Sequence, residues 1–270
     1  MHLCVPHKMM RADLYLVENG YVKSRTAARK YIEQGHVLLD GKVISKPSQD
    51  VSDGEHAVEI LERERYVSRG GLKLEGALRA FGIDVHGMRA ADIGASTGGF
   101  TDCLLQAGAK HVYAIDSGRD QLDPDLVLDE RVSCMEGVNA RYLTPEEIGG
   151  CVDIVVMDVS FISQTLILPC VASLLRDGGI YVGLIKPQFE AGRAALDKHG
   201  VVKNAKHRRA AVERVLDAAE EQGLGLGGLI RSPLEGGDGN VEYLAYYIKG
   251  KQSAILRQSA VQALFASDGK

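Results

Sequence analysis

A regular alternation of strand-like and helical segments constrains the fold of this chain more than any other sequence feature. Between residues 89 and 249, short apolar runs alternate with longer stretches in which apolar residues recur at helical spacing. The apolar runs are 89–93, 111–116, 132–135, 152–159, 179–186, 225–231 and 241–249, and the clearest helical stretches are 98–107, 161–175 and 205–222. The pattern predicts an α/β domain with a mainly parallel sheet and helices on both faces. Ligands of such sheets bind at the carboxyl ends of the strands.

The first sixty residues have a different pattern, typical of a small α+β module. Residues 11–22 are predicted to form a short helix that ends at Gly20. Ser24 is a good N-cap for a second helix over residues 25–34, which Gly35 ends. The Asp40-Gly41 pair between two short apolar runs predicts a β-hairpin.

Basic side chains collect on this module, and two explanations compete for them. They are Arg11, Lys23, Arg25, Arg29, Lys30 and Lys42. A solvated helix face explains such charges as well as a binding surface does. The chain has a net charge of −4, and residues 1–69 hold 11 Lys and Arg against 10 Asp and Glu, so charge alone does not indicate a nucleic-acid partner. The order of the elements is more informative. The segment SRTAARKYIEQGHVLLDGKVI resembles the RNA-binding domain named after the fourth small-subunit ribosomal protein, which implies that these cations contact RNA phosphates.

Length, hydropathy and cysteine spacing indicate the domain organisation and limit the class of protein. We predict an RNA-binding domain over residues 9–62, a linker over 63–69, a catalytic domain over 70–250 and a helical tail over 251–270. No apolar run approaches the roughly 20 residues that span a bilayer, and the N-terminus does not read as a secretory signal. The five cysteines show no CxxC pair or zinc spacing, so no metal site is expected. These features favour a cytoplasmic protein without a membrane partner.

A glycine-rich loop follows the first predicted strand of the larger domain and opens a helix. It lacks the Gly-Lys-Ser/Thr ending of a P-loop, and its GxxxGG spacing differs from the dinucleotide GxGxxG pattern. An aminoacyl-nucleoside such as S-adenosylmethionine, which has no phosphate, fits better. Asp116, 22 residues beyond Gly94, suits a ribose diol, although such an Asp can also simply cap a turn. The predicted cofactor residues are Asp92, Gly94, Ala95, Ser96, Thr97, Gly98, Gly99, Phe100 and Asp116.

Four charged residues lie where a purely structural role would be unusual. Asp158 and Lys186 follow apolar strands and should meet at the carboxyl edge of the sheet. Lys73 precedes the first strand in RGGLKL, and Glu242 lies in GNVEYL at the start of the last one. Opposite charges at neighbouring strand tips favour a reactive site over isolated solvated groups.

These motifs resemble known families. RGGLKL, DIGASTGGFT, MDVSFIS, KPQFE and GNVEYL are similar to segments of the FtsJ-type ribose 2′-O-methyltransferases, whose Lys-Asp-Lys-Glu tetrad matches Lys73, Asp158, Lys186 and Glu242. Together with the N-terminal module, they resemble the TlyA family, often labelled hemolysin A. The resemblance implies a Rossmann-like methyltransferase domain that uses S-adenosylmethionine, with Lys186 as general base or oxyanion stabiliser.

The resemblance also implies a substrate, cytidine 2′-hydroxyls of ribosomal RNA within ribosomal subunits or their precursors. The segment 192–202 departs from the motifs and is expected to be a mobile loop beside the site. Two other functions stay open: an RNA-binding assembly factor whose catalytic domain is vestigial, and a membrane-lysing hemolysin.

Overall fold

The computed structural model describes residues 9–61 and 65–266. The chain forms two compact units, residues 1–64 and 65–270, and each is described by itself. Parts of three sequence predictions lie outside the described residues: the last residue of the RNA-binding domain at 62, the start of the linker at 63–64 and the end of the tail at 267–270.

The N-terminal unit is a small α+β module built from two short helices and two small antiparallel sheets. Strand β1 pairs with β4, and β2 lies between β3 and β5. The elements are β1 (Met9–Arg11), α1 (Ala12–Glu18), α2 (Arg25–Glu33), β2 (Val37–Leu39), β3 (Lys42–Val43), β4 (Asp50–Ser52) and β5 (Val58–Ile60).

Local signals in the sequence account for this module. The Ser24 side chain accepts a hydrogen bond from the Ala27 amide at 3.2 Å, as expected of an N-cap. Asp40 and Gly41 both have positive φ, of 50° and 75°, which the two central residues of a tight type I′ hairpin require. Leu16 and Ile32 are fully buried at the centre of the core between the helices and strands.

The C-terminal unit is built on one seven-stranded sheet in the order β11-β12-β10-β9-β6-β7-β8. The five strands from β10 to β8 run parallel, and β12 is antiparallel to both of its neighbours. The strands are β6 (Arg89–Ile93), β7 (His111–Asp116), β8 (Val132–Glu136), β9 (Val152–Met157), β10 (Leu175–Ile185), β11 (Leu224–Arg231) and β12 (Tyr243–Lys249).

Helices cover both faces of this sheet. They are α3 (Gly70–Phe81), α4 (Gly99–Gln106), α5 (Pro124–Leu128), α6 (Leu168–Leu174), α7 (Pro187–Glu190), α8 (Ala205–Glu221) and α9 (Arg257–Phe265). Side chains of β9 alternate between two separate cores: Val155 and Met157 pack with α6 and α8, whereas Ile154 and Val156 pack with α3 and α4. A strand buried on both faces is apolar on both, which explains the unbroken hydrophobic run from Ile154 to Met157. Asp153 near its start is only partly buried and pairs with Arg176.

The α/β architecture predicted from the alternation is confirmed, and the differences have local causes. The predicted helix over 161–175 is shorter, because α6 begins beside Pro169 and is preceded by a loop with one short 3-10 helix, Gln164–Leu166. Helix α3 was not predicted, since its glycines obscure the helical spacing. Residues 65–69 were assigned to the linker, but Tyr66 is buried in the C-terminal unit and the Val67 amide donates to Asp102 at 2.9 Å. In the described part of the chain, no helix has the length and apolarity needed to cross a membrane.

The cap of α2 provides a first test of the N-terminal unit. Replacing Ser24→Ala removes the side-chain acceptor for the Ala27 amide. We expect a local loss of about 1 kcal/mol, which corresponds to roughly fivefold faster amide exchange in α2. Hydrogen exchange of the full chain, read by mass spectrometry, measures it. Ser45→Ala, at an exposed position outside the helices, is the matched control, and equal exchange in the two variants would contradict the assignment.

Candidate active site

The site lies where the order of the parallel strands reverses. Strands β6 and β9 are neighbours in the sheet, although β7 and β8 separate them along the chain. The chain leaves β6 into the glycine loop and leaves β9 at Asp158, whose amide donates to the Ile93 carbonyl at 3.0 Å. Crevices at such a switch point are the usual ligand sites of open α/β sheets.

Gly94 makes the close approach between these two loops possible. Its φ is 84°, and a Cβ atom there would lie 2.6 Å from the Asp158 carbonyl oxygen. Only glycine combines this backbone conformation with this spacing. The first glycine of the loop therefore fixes how close the loop comes to Asp158.

A cleft of about 480 Å³ opens on one side of this contact. Gly94, Ser96 and Asp116 line it, together with Asn139 and Ala140 from the region after β8. The Asp116 carboxylate accepts from the Ser96 amide at 2.8 Å and from the Gly118 amide at 2.7 Å, so its position is fixed at the cleft wall. The volume lies in the range of about 300–1,000 Å³ that small-molecule sites have.

A second cleft, of about 280 Å³, lies on the other side of the loop. It shares Gly94, Ser96, Asp158 and Ser160 with the first cleft, so the two spaces have a common wall. Both predicted catalytic lysines, Lys73 and Lys186, line this second cleft. Four more residues of the glycine loop also line it: Ala95, Thr97, Gly99 and Phe100.

The four predicted catalytic residues form two ion pairs. Lys186 Nζ lies 2.6 Å from Asp158 Oδ1, and Lys73 Nζ donates to Glu242 Oε2 at 2.6 Å. Glu242 is 2% exposed and lies behind Lys73. Burial of a charge without its partner is costly, so each pair is held together by the low polarity around it.

Two residues that the sequence interpretation missed contact these pairs. Lys186 Nζ donates to Ser160 Oγ at 2.9 Å, and Gln188 Nε2 donates to Glu242 Oε1 at 3.2 Å. Both lie in the quoted segments MDVSFIS and KPQFE. The signal was therefore present, but only Asp158 and Lys186 of these segments were interpreted.

A third missed residue, Glu190, joins the same two segments. It is 2% exposed and accepts from Ser163 Oγ at 2.5 Å and from the Gln164 amide at 2.8 Å. Burial raises the pKa of its carboxyl, and the bonds from Ser163 and Gln164 oppose that shift. Glu190 thus holds the loop after β9 against α7, which follows Lys186.

Phe161, on the loop after β9, has an unusual position. Its side chain is 92% exposed, lines the larger cleft and lies 5.2 Å from the Phe189 ring between centroids. Its φ of 64° is rare for a bulky residue. Non-glycine residues in this region are concentrated at functional sites, where surrounding structure maintains the strain.

Two of the nine predicted cofactor residues, Asp92 and Gly98, line neither cleft. Asp92 is buried beneath the loop, where Thr101 Oγ1 donates to it at 2.7 Å. Burial raises the pKa of Asp92 to about 7. A Cβ atom at Gly98 would overlap Leu126 and Leu122. The lack of a side chain at Gly98 therefore makes room for the packing of α5.

In the N-terminal unit, the predicted RNA-binding cations fall into two groups. Arg11 and Arg25 bind the fully buried Asp13 carboxylate at 2.8 and 3.1 Å, and these bonds lower the pKa of Asp13 to about 2. The others lie on the exposed surface of the unit: Lys23, Arg29, Lys30 and Lys42. No group of three His, Cys, Asp or Glu within residues 9–61 and 65–266 is placed to hold a metal ion.

Comparison with known proteins assigns both units. Residues 66–249 match the FtsJ-like methyltransferase family, and residues 10–56 match the S4 domain. The chain is 46% identical over 237 residues to the 16S/23S rRNA (cytidine-2′-O)-methyltransferase TlyA of Mycobacterium tuberculosis, covering 87% of this chain and 88% of that protein.

Other relatives have a different label. Hemolysin A of Brachyspira hyodysenteriae is 40% identical over 240 residues, which cover 88% of this chain and 100% of that protein. A Streptococcus thermophilus structure described as a candidate hemolysin superposes with a TM-score of 0.75 at 41% identity, covering 96% of this chain and 95% of that one.

The approach of Gly94 to Asp158 can be tested with a matched pair of glycines. Gly94 and Gly87 both have positive φ, of 84° and 73°, but a Cβ atom would meet backbone only at Gly94. We expect Gly94→Ala to lower the free energy of unfolding by about 1–3 kcal/mol more than Gly87→Ala does, since only the former adds a clash to the backbone strain. Urea unfolding followed by circular dichroism measures the difference, and equal losses would show that the approach is looser than described.

Proposed function

This chain belongs to the TlyA family of FtsJ-like methyltransferases, and we propose that it transfers a methyl group from S-adenosylmethionine to the 2′-hydroxyl of a cytidine in ribosomal RNA. The observation that carries the proposal is the shared wall of the two clefts. A nucleoside-sized space and a second space, whose lining includes Lys73 and Lys186, meet at Gly94 and Asp158. A methyl donor in the larger cleft and an accepting hydroxyl in the smaller one could therefore be brought together across that wall.

The residues of the larger cleft fit the proposed cofactor. The Asp116 carboxylate keeps acceptor capacity beyond its two amide bonds, which suits the hydroxyls of the cofactor ribose. The positive φ of Gly94 turns the loop at the cleft, leaving room for the amino-acid end at the common wall. Bound S-adenosylmethionine would supply a methyl group that its sulfonium already activates.

Lys186 is the residue that we assign to the accepting hydroxyl. Its ammonium has three N–H groups. The nitrogen lies 2.6 Å from Asp158 Oδ1, and one N–H donates to Ser160 Oγ at 2.9 Å. Donor capacity is thus left for the ribose oxygen. If Lys186 passed a proton to Asp158 within the pair, its neutral amine could accept the proton that the hydroxyl loses. The same lysine could then both orient the ribose oxygen and act as its base.

Lys73 and Glu242 are assigned a positioning role. Their pair is buried, and Gln188 ties Glu242 to the segment that follows Lys186. Lys73 lines the smaller cleft beside Lys186, so its positive charge would favour a partly negative ribose oxygen.

The N-terminal unit is proposed to hold the RNA through its exposed cations, Lys23, Arg29, Lys30 and Lys42, with Arg11 and Arg25 fixed beside them by Asp13. Phosphate contacts of this kind set position and do not read sequence. We therefore propose that the enzyme works in the cytoplasm on folded rRNA, within a ribosomal subunit or its precursor, and recognises shape.

The proposal predicts a specific product. Ribosomal subunits from a strain that lacks this gene should gain 2′-O-methylcytidine when incubated with the purified protein and tritiated S-adenosylmethionine. Lys186→Ala should lower the transfer rate by at least about a hundredfold, the usual contribution of a positioned acid or base. Cofactor affinity, measured by calorimetry, should stay near that of the natural protein.

Lys251→Ala, at an exposed position outside the quoted motifs, is the control and should retain full activity. RNA binding by the natural protein without any methyl transfer would instead support an assembly factor. Near-normal turnover of Lys186→Ala would remove this lysine from the chemistry.

Phe161 is proposed to contact the base of the target nucleotide. A hydroxyl inside the cleft can be reached only if its nucleotide leaves the stack, which costs a few kcal/mol. An exposed aromatic ring at the cleft, backed by Phe189, is a surface on which a base can stack.

Phe161→Ala should therefore raise KM for ribosomal subunits or lower kcat, by a combined factor of roughly 5 to 150, the equivalent of about 1–3 kcal/mol of stacking. Phe161→Tyr keeps the ring and should restore activity. Leu256→Ala, which trims another exposed apolar side chain of 79% exposure, should have no effect. An unchanged kcat/KM in Phe161→Ala would exclude the stacking role.

A further inference from the structure

The catalytic unit contains a segment with a large excess of basic over acidic residues. Residues 192–209, the basic segment, contain six Lys and Arg against one Asp, in a chain whose net charge is −4. Residues 21–38 of the N-terminal unit hold four Lys and Arg against one Glu. The larger excess of positive charge therefore lies in the catalytic unit and not in the N-terminal unit.

Helix stability does not explain these charges. The segment runs into the N-terminus of α8, which Asn204 caps, and the first turn of this helix has no acidic residue. Lys203, Lys206 and Arg209 add positive charge at the end of the helix where the backbone dipole is already positive. Such an arrangement is mildly destabilising in isolation and favours a bound anion.

Internal bonds account for only half of the cations. Lys203 pairs with Asp197 at 2.9 Å, Arg209 pairs with Glu213 at 2.9 Å, and Arg208 donates to the Lys203 carbonyl at 2.7 Å. The other three, Arg193, Lys198 and Lys206, lie exposed on the surface. These three side chains present the charge of the segment to solvent.

The basic segment is fastened to the active site at two points. It begins after α7, directly downstream of Lys186. At its centre, the buried Asn240 side chain accepts from the Val202 amide at 3.1 Å and donates to the Gly200 carbonyl at 3.2 Å. Asn240 precedes Glu242 by two residues. Residues 192–202, the part of the segment expected to be a mobile loop, are thus connected to the residues of both ion pairs.

We propose that the basic segment is a second RNA-binding surface, on which Arg193, Lys198 and Lys206 contact phosphates beside the target nucleotide. The inference rests on the proposed function, which supplies RNA as the partner. It assigns an RNA contact to the catalytic unit, although the net charge of the chain did not indicate one. Its cations would hold the strand next to the cleft while the N-terminal unit binds elsewhere on the RNA.

The test compares two double variants of equal charge. Lys198→Gln with Lys206→Gln removes two exposed cations of the segment, and Lys110→Gln with Lys251→Gln removes two exposed lysines elsewhere on the same unit. Affinity for ribosomal subunits is measured over a range of monovalent salt at fixed magnesium. The first variant should flatten the slope of log affinity against log salt by about 1.4–1.8, since each lost phosphate contact accounts for about 0.7–0.9. The control should keep the natural slope.

Other readouts separate the possible failures. In the first variant, KM for subunits should rise while kcat at saturation and cofactor affinity stay unchanged. If the natural protein methylates subunits but both variants have its slope, the basic segment is not an RNA surface. If the natural protein methylates no RNA, the proposed function itself fails. Vesicles of phosphatidylglycerol form a third arm: binding to them that only the segment variant loses, with an unchanged RNA slope, would assign the surface to anionic lipid.

Discussion

Gly94 and Asp158 approach each other where the strand order of the sheet reverses, and the arrangement of the site depends on that approach. The backbone carbonyl of Asp158 occupies the space in which a Cβ atom of Gly94 would lie. As a consequence, the loop after β6 and the residue after β9 form one wall, with a cleft on each side. A fold of this type always creates a crevice at the switch point. What is particular here is that Asp158 is also half of an ion pair with Lys186.

The paired arrangement of the four charges has a physical consequence for the chemistry. A single buried lysine would tend to lose its proton, and a single buried carboxylate would tend to gain one. Pairing Lys73 with Glu242 gives each of these buried groups a partner, and Glu242 is 2% exposed. The second pair is more open, because Asp158 lines both clefts and Lys186 lines the smaller one. On the proposed function, the first pair would position charge and the second would act on the hydroxyl.

Sequence patterns predicted the sheet because its central strands carry mainly apolar runs, such as Ile154–Met157 of β9. They predicted the charged residues because the tips of parallel strands share one edge. They could not predict which lysine pairs with which carboxylate, since Lys73 and Glu242 are 169 residues apart and meet only through the fold. Glu190 was missed for the same reason: its partners Ser163 and Gln164 come from another strand end. Nothing in the sequence around Phe161 indicates its positive φ, which the surrounding loop imposes. Helix α3 was missed because glycines mask its spacing.

The distribution of charge explains how a chain of net charge −4 can act on RNA. Non-specific binding depends on the number of phosphates neutralised at once, so a low total charge gives weak affinity for arbitrary RNA. Two modest basic surfaces behave differently when one shaped RNA engages both. Once the first has bound, the second contact becomes intramolecular, and its effective concentration depends on geometry and not on total charge. An RNA that presents phosphates to only one surface gains nothing from the other. On the proposal that RNA binds both surfaces, selectivity for a folded substrate would follow from the presence of the two surfaces on different units.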